Sequence, residues 1–123
     1  MNHLLIVDDA ATVRMYHRGI LEAAGYAIDE AINGLEALEK AVLRDYDLYL
    51  IDVNMPKLDG YALVRRLRSD ATLRQAPAIM ISTEAEGSDQ RRAYEAGANL
   101  YLIKPAQPSV LLAHVRMLLG EAG

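Results

Sequence analysis

Five short apolar runs, each followed by a stretch with helical spacing, constrain this 123-residue chain more than any other feature. The runs are HLLIV (3–7), YAI (26–28), DLYLI (47–51), PAIMI (77–81) and NLYLI (99–103). Four are near-continuous hydrophobics, the pattern of strands buried on both faces. YAI leads into polar YAIDEA and is expected at a sheet edge.

The intervening stretches have a different period. Residues 10–24 place Val13, Tyr16, Ile20 and Ala24 on one stripe, closed by Gly25. Asn33-Gly34 could open a hairpin. Leu35, Leu38 and Val42 recur at helical spacing instead, and Asn33 with Glu36 resembles a capping box, so a helix over 34–45 is predicted. Residues 60–69 carry Leu63, Val64 and Leu67, with Arg65, Arg66 and Arg68 assigned to the wet side. Residues 87–96 form a polar helix stopped by Gly97. A last helix over 108–119 starts at Pro108 and turns Leu111, Leu112, Val115 and Leu118 inward. Residues 72–76 read as a surface loop.

Strand and helix thus alternate five times, which argues for a parallel α/β sandwich with right-handed crossovers. The length suits one domain, 1–123, and no linker, repeat or low-complexity segment interrupts it. With no cysteine, disulfides and thiol chemistry are excluded. Thirteen basic against seventeen acidic residues, without a basic block, disfavour direct nucleic-acid binding. No apolar run reaches a membrane span, and the acidic start does not match a signal peptide, so a cytoplasmic protein is expected.

In a parallel sheet the strands end at one edge, and open α/β sheets bind ligands there. Just past the apolar runs stand Asp8 and Asp9, then Asp52, then Ser82 and Thr83, then Lys104. Singly, each has an ordinary role as a helix cap or solvated side chain. Together they deliver three carboxylates, two hydroxyls and an ammonium to one rim. Clustered carboxylates need positive charge, and oxygen-only ligands favour Mg²⁺. Mg²⁺, a lysine and a hydroxyl suit a phosphoryl group, with Asp52 as the nucleophile that forms an acyl phosphate. His3, His17 and His114 lie on different elements without ligand-like spacing, so no histidine is assigned to a metal or to phosphate transfer.

The motifs DD (8–9), DVNMPKLDG (52–60), IST (81–83) and LYLIKP (100–105) resemble those of a response-regulator receiver domain over essentially the full length. The spacing supports the likeness, since Ser82 follows Asp52 by 30 residues and Lys104 follows Ser82 by 22. The resemblance implies a doubly wound, flavodoxin-like sheet of order 2-1-3-4-5 with helices on both faces, and a single receiver without an output domain. It implies that Asp52 accepts a phosphoryl group from a histidine kinase or histidine phosphotransfer protein, or from small donors such as acetyl phosphate. Asp9, Asp52 and the backbone carbonyl of Asn54 would then hold Mg²⁺, with Asp8 acting through water. Lys104 would pair with Asp52 and then with the phosphate, and the Lys104–Pro105 bond would be cis. Ser82 takes the switch hydroxyl position, and Tyr101 that of a rotating aromatic expected to swing inward. Asn54 and Glu84 flank the phosphoryl group and would tune dephosphorylation.

Some positions depart from the family pattern, among them Val53, which replaces a tryptophan found in a well-known chemotaxis member. Thr83 stands where many receivers carry a small residue, narrowing access, and Ala106 stands where many carry Phe. The output would be a protein-binding surface on the fourth helix, fifth strand and fifth helix of a monomer, as in stand-alone chemotaxis members. Arg91, Arg92 and Tyr94 are read mainly as a solvated face that could also dock a partner. A phosphorelay intermediate or phosphate sink would use the same aspartate. A phosphatase of haloacid dehalogenase type would share the Asp nucleophile, Mg²⁺ and Lys, but needs a proton-donating Asp where this chain has Asn54.

Overall fold

The computed structural model describes residues 2–84 and 86–121. The chain alternates β1 (His3–Val7), α1 (Ala11–Ala23), β2 (Ala27–Ala31), α2 (Gly34–Leu43), β3 (Leu48–Asp52), α3 (Gly60–Ser69), β4 (Ala78–Ser82), α4 (Gly87–Ala96), β5 (Leu100–Ile103) and α5 (Pro108–Leu118). The five strands form one sheet in the order β2-β1-β3-β4-β5, and all four pairings are parallel.

Alternation along the strands sorts the apolar residues onto two faces. Leu5, Val7, Tyr49, Ile51 and Met80 meet Ala37 and Ala41 of α2, Leu63, Val64 and Leu67 of α3, and Ala93 of α4. Leu4, Ile6, Leu48, Leu50, Ile79 and Ile81 meet Leu21 of α1 and Leu111 and Val115 of α5. Burial on both sides explains the unbroken hydrophobic runs of the central strands. β2 does lie at an edge. It runs on through Asp29 and Glu30, because both carboxylates have partners: Asp29 accepts from the Tyr46 hydroxyl at 2.7 Å, and Glu30 pairs with Arg14 and Arg18.

Two helix faces differ from the expected stripes. In α1 the innermost residues are His17 and Leu21, while Tyr16 is 46% exposed. The helix is rolled so that Val13 and Ile20 flank the contact and do not head it. In α2 the buried residues are Gly34, Ala37 and Ala41, and Leu35 and Val42 face outward. Small side chains let this helix lie close: a Cβ on Gly34 would stand 2.7 Å from the Leu58 Cβ. Asn33 does cap α2, accepting from the Glu36 amide at 2.9 Å, but the Glu36 carboxylate reaches the Ile32 amide and not that of Asn33.

Arg68 also departs from the wet-face reading. Its guanidinium donates to the carbonyls of Gly97 and Ala76 and to the side chains of Gln75 and Asn99, at 2.7–3.1 Å. It clasps α3, the loop before β4 and the end of α4. Arg65 and Arg66 are exposed, as expected.

Candidate functional site at the strand ends

Strand register assembles the rim. Val7 pairs with Ile51, so Asp8 and Asp52, each one residue further on, lie side by side. Asp52 pairs with Ile81 and Ser82 with Ile103, which brings Ser82 and Lys104 to the same edge. Alternation then separates the roles. Asp8 and Asp52 share the parity of Ile6 and Leu50, on the side of α1 and α5, while Ser82 and Tyr101 share that of Met80, on the side of α4.

Carboxylate oxygens of Asp8, Asp9 and Asp52 lie within 4.8 Å of one another. Asp8 and Asp52 are buried and Asp9 is exposed. The Lys104 ammonium donates to Asp52 Oδ1 at 2.8 Å and to Asp8 Oδ2 at 3.0 Å. The other Asp8 oxygen accepts from the Ala10 amide at 2.9 Å, turning the chain into α1. Asp8 thus serves both the local turn and the charged cluster.

One ammonium faces three carboxylates, so the cluster has surplus negative charge. Burial pushes the Asp52 carboxyl above its ordinary range, with Asp8 and Asp9 adding to the rise and the Lys104 bond opposing it. For Lys104, burial disfavours the charge, but hydrogen bonds to Asp52 and Asp8 outweigh it and the ammonium is held above its usual value. The surplus charge, the oxygen-only donors and their spacing fit a hard divalent cation such as Mg²⁺.

The loop after β3 is fitted to this rim. A Cβ on Gly60 would approach the Asp52 carbonyl oxygen to 2.4 Å, and the Gly60 amide donates to the Val53 carbonyl at 2.8 Å. Only glycine lets α3 start this close to the acidic strand end. Asp59 caps that helix, accepting from the Ala62 amide at 2.8 Å. The closeness of Gly60 to Asp52 does not show in the motif at 52–60.

Around Ser82 the structure reveals a connection that sequence reading missed. Glu84 is a hub: its amide donates to Ser82 Oγ at 3.1 Å, its carbonyl accepts from the Tyr101 hydroxyl at 2.7 Å, and its carboxylate accepts from Asn54 Nδ2 at 3.3 Å. Tyr101 is already inward, 8% exposed and anchored, so the expected swing toward a vacated space does not start from an outward position. Thr83 is exposed and lies beside Lys104 and Pro105 on the α1 side. The Lys104–Pro105 peptide is cis.

Of the remaining singled-out residues, only His17 lies close to the rim. His3 stacks edge-on against Tyr46 at the opposite end of β1, and His114 bonds to a carbonyl of its own helix. Arg92 is not simply solvated: its guanidinium sits 4.2 Å from the centre of the Tyr61 ring, tying α4 to α3. Tyr94 stays exposed. His17 is buried, which lowers its pKa; nearby Asp8 acts against this and Lys104 with it.

Comparison with known proteins agrees with the geometry. The family model described as "Response regulator receiver domain" matches residues 4–116. The chain is 39% identical over 119 residues to chemotaxis protein CheY1 of Helicobacter pylori, covering 95% of this chain and 96% of that one. It is also 39% identical over 119 residues to the transcriptional regulatory protein ResD of Bacillus subtilis, covering 97% of this chain but 48% of ResD. Of the gliding motility regulatory protein of Myxococcus xanthus, 43% identical over 101 residues, it spans 13%. Among solved structures, the receiver domain of a Pseudomonas aeruginosa sensor histidine kinase, described with a magnesium ion coordinated in its active-site cleft, superposes with TM-score 0.89 at 28% identity, over 98% of both chains. No helix among the described residues is long and apolar enough to cross a membrane. The chain belongs to the response-regulator receiver family.

Proposed function

We propose that this receiver is a phosphorylation switch of the two-component, chemotaxis type, acting in the cytoplasm, with Asp52 as the phosphoacceptor. The observation that carries the reading is the Lys104 ammonium held between Asp52 and Asp8, with Asp9 completing the acidic cluster. An Asp52 oxygen attacks the phosphorus of a phosphohistidine on a kinase or phosphotransfer protein. The P–N bond breaks, and the imidazole leaves with the electron pair. Asp9, Asp52 and the Asn54 carbonyl would hold Mg²⁺, with Asp8 through water; the ion supplies positive charge to the phosphoryl oxygens. Lys104 neutralises part of the charge added to Asp52.

Ser82 Oγ accepts from the Glu84 amide and stands beside the Tyr101 hydroxyl, and its proton can turn from there to a phosphoryl oxygen. Drawing Ser82 toward Asp52 pulls on Glu84 and, through the Glu84 carbonyl, on Tyr101 in β5. The change therefore reaches α4 and β5, where a protein target would read it together with α5. Coverage of nearly the whole of CheY1 supports a chemotaxis-type role. The protein turns over no separate substrate: the acyl phosphate is its own, and Asn54 and Glu84 set how long it lasts.

Intact-mass measurement after acetyl phosphate treatment tests this. One added phosphoryl group is expected with Mg²⁺, and none without Mg²⁺ or in Asp52→Ala. An unmodified wild-type chain in the presence of Mg²⁺, or a modified Asp52→Ala chain, would overturn it.

A further inference from the structure

Between α1 and the turn after β5 lies a cavity of about 330 Å³, walled by Val13, Tyr16 and His17 on one side and by Thr83, Lys104 and Pro105 on the other. Its volume is at the lower end for small-molecule sites. The Lys104 ammonium is already committed to Asp8 and Asp52, so the residue offers the cavity its methylene stem and not a free charge. Tyr16 fixes one wall by donating its hydroxyl to the Ala106 carbonyl at 3.2 Å.

His17 is the feature that needs explaining. It is 2% exposed, yet its ring takes part in no hydrogen bond among the described residues, and the cavity is where that ring is open. Its ring nitrogens are not among the buried atoms that lack a partner, so they are open to solvent or to a ligand. In its neutral form the imidazole offers one donor and one acceptor. The Tyr16 ring stands edge-on to it, with centroids 5.4 Å apart and planes at 62°, an arrangement that a further flat ring can extend. Apolar walls of this kind hold water poorly.

We propose that this cavity binds a small, uncharged, planar aromatic molecule carrying one N–H or O–H group, which sits against Tyr16 and hydrogen-bonds to His17. An anion finds no free cation here, and an aliphatic ligand forgoes the aromatic contacts. Because Lys104 walls this cavity and also bonds to Asp8 and Asp52, occupancy and events at Asp52 are coupled in both directions. The binding itself does not depend on phosphorylation and is tested without donor or metal.

The test is an amide-resolved NMR titration with phenol, toluene and cyclohexanol in Mg²⁺-free buffer. Phenol is expected to give saturable shifts at Val13, Tyr16, His17 and Thr83. Toluene, and phenol added to His17→Leu, should bind about fivefold more weakly, the worth of one net hydrogen bond. Cyclohexanol should bind more weakly than phenol. In Val13→Phe, whose added ring fills the cavity, the phenol shifts should vanish while the remaining spectrum stays native. Shifts that do not saturate, that centre elsewhere, or that persist in Val13→Phe would overturn the assignment. So would equal binding of phenol by the wild type and His17→Leu.

Discussion

Replacing Asp52 with Asn should make the metal-free protein more stable, because the site keeps an ionised group where the fold alone would not. At an effective dielectric of about 20, unit charges at 4.8 Å repel by roughly 3.5 kcal/mol and an ion pair at 2.8 Å attracts by roughly 6 kcal/mol. Repulsion from Asp8, together with a weaker share from exposed Asp9, nearly offsets the attraction of Lys104. What remains is the desolvation of a carboxylate that is 5% exposed, several kcal/mol for a buried ion. The Asn amide oxygen can still accept from Lys104, so Asp52→Asn removes the charge with little loss of shape. The expected gain is about 1–2 kcal/mol, or roughly 3–10 °C in Tm for a chain of this size.

The sign with pH follows from the raised Asp52 pKa. The folded carboxyl binds its proton more readily than the unfolded one, so the penalty is fully present above the folded value. It fades as pH falls toward the unfolded value near 3.9, and the gap between variant and wild type should close with it. Urea denaturation in EDTA across this pH range measures the difference. Adding Mg²⁺ should reverse the order, since an ion at about 100 times its Kd stabilises the protein that holds it by about 2.7 kcal/mol. A variant no more stable than wild type in EDTA at neutral pH would refute the argument.

Other consequences are checked as directly. Arg68→Met should cost about 2–4 kcal/mol in urea unfolding, because the Gly97 and Ala76 carbonyls and the Gln75 and Asn99 side chains lose their common donor. Gly60→Ala should reduce stability by more than an ordinary helix-start substitution, about 2 kcal/mol or more, and slow acetyl phosphate labelling, since the added methyl presses on the Asp52 carbonyl. In a radiolabel chase, Asn54→Ala should lengthen the phospho-Asp52 lifetime several-fold; unchanged decay would remove Asn54 from that role. Stability should also fall as pH drops below about 6.5, because buried His17 resists the proton that the unfolded chain accepts, and His17→Leu should flatten that slope.

The strands were legible because burial on both faces leaves near-continuous hydrophobic runs, and the acidic rim was legible because its members stand at the ends of those runs. Helix faces were read less well. Leu35 and Val42 mark the α2 period, but packing distance is set by Gly34, Ala37 and Ala41, whose small size carries no hydropathy signal. Arg68 looked like its exposed neighbours because its acceptors come from segments up to 31 residues away. The Glu84 hub was hidden for a related reason: two of its three bonds use backbone atoms, which residue type does not report. Tyr101 was placed on the right strand, but its inward rotamer depends on the Glu84 carbonyl, a partner visible only once the loop is folded.

The central claim is that Asp52 accepts phosphorus beside a metal ion while Ser82 turns to meet it. A crystal structure grown with Mg²⁺ and beryllofluoride, a stable phosphoryl mimic, tests this most directly. The beryllium should bond to an Asp52 oxygen, with the metal ion on Asp9, Asp52 and the Asn54 carbonyl, Lys104 on a fluorine, and Ser82 Oγ released from the Glu84 amide. Beryllofluoride bound elsewhere, or a metal ion outside the cluster of Asp8, Asp9 and Asp52, would contradict it.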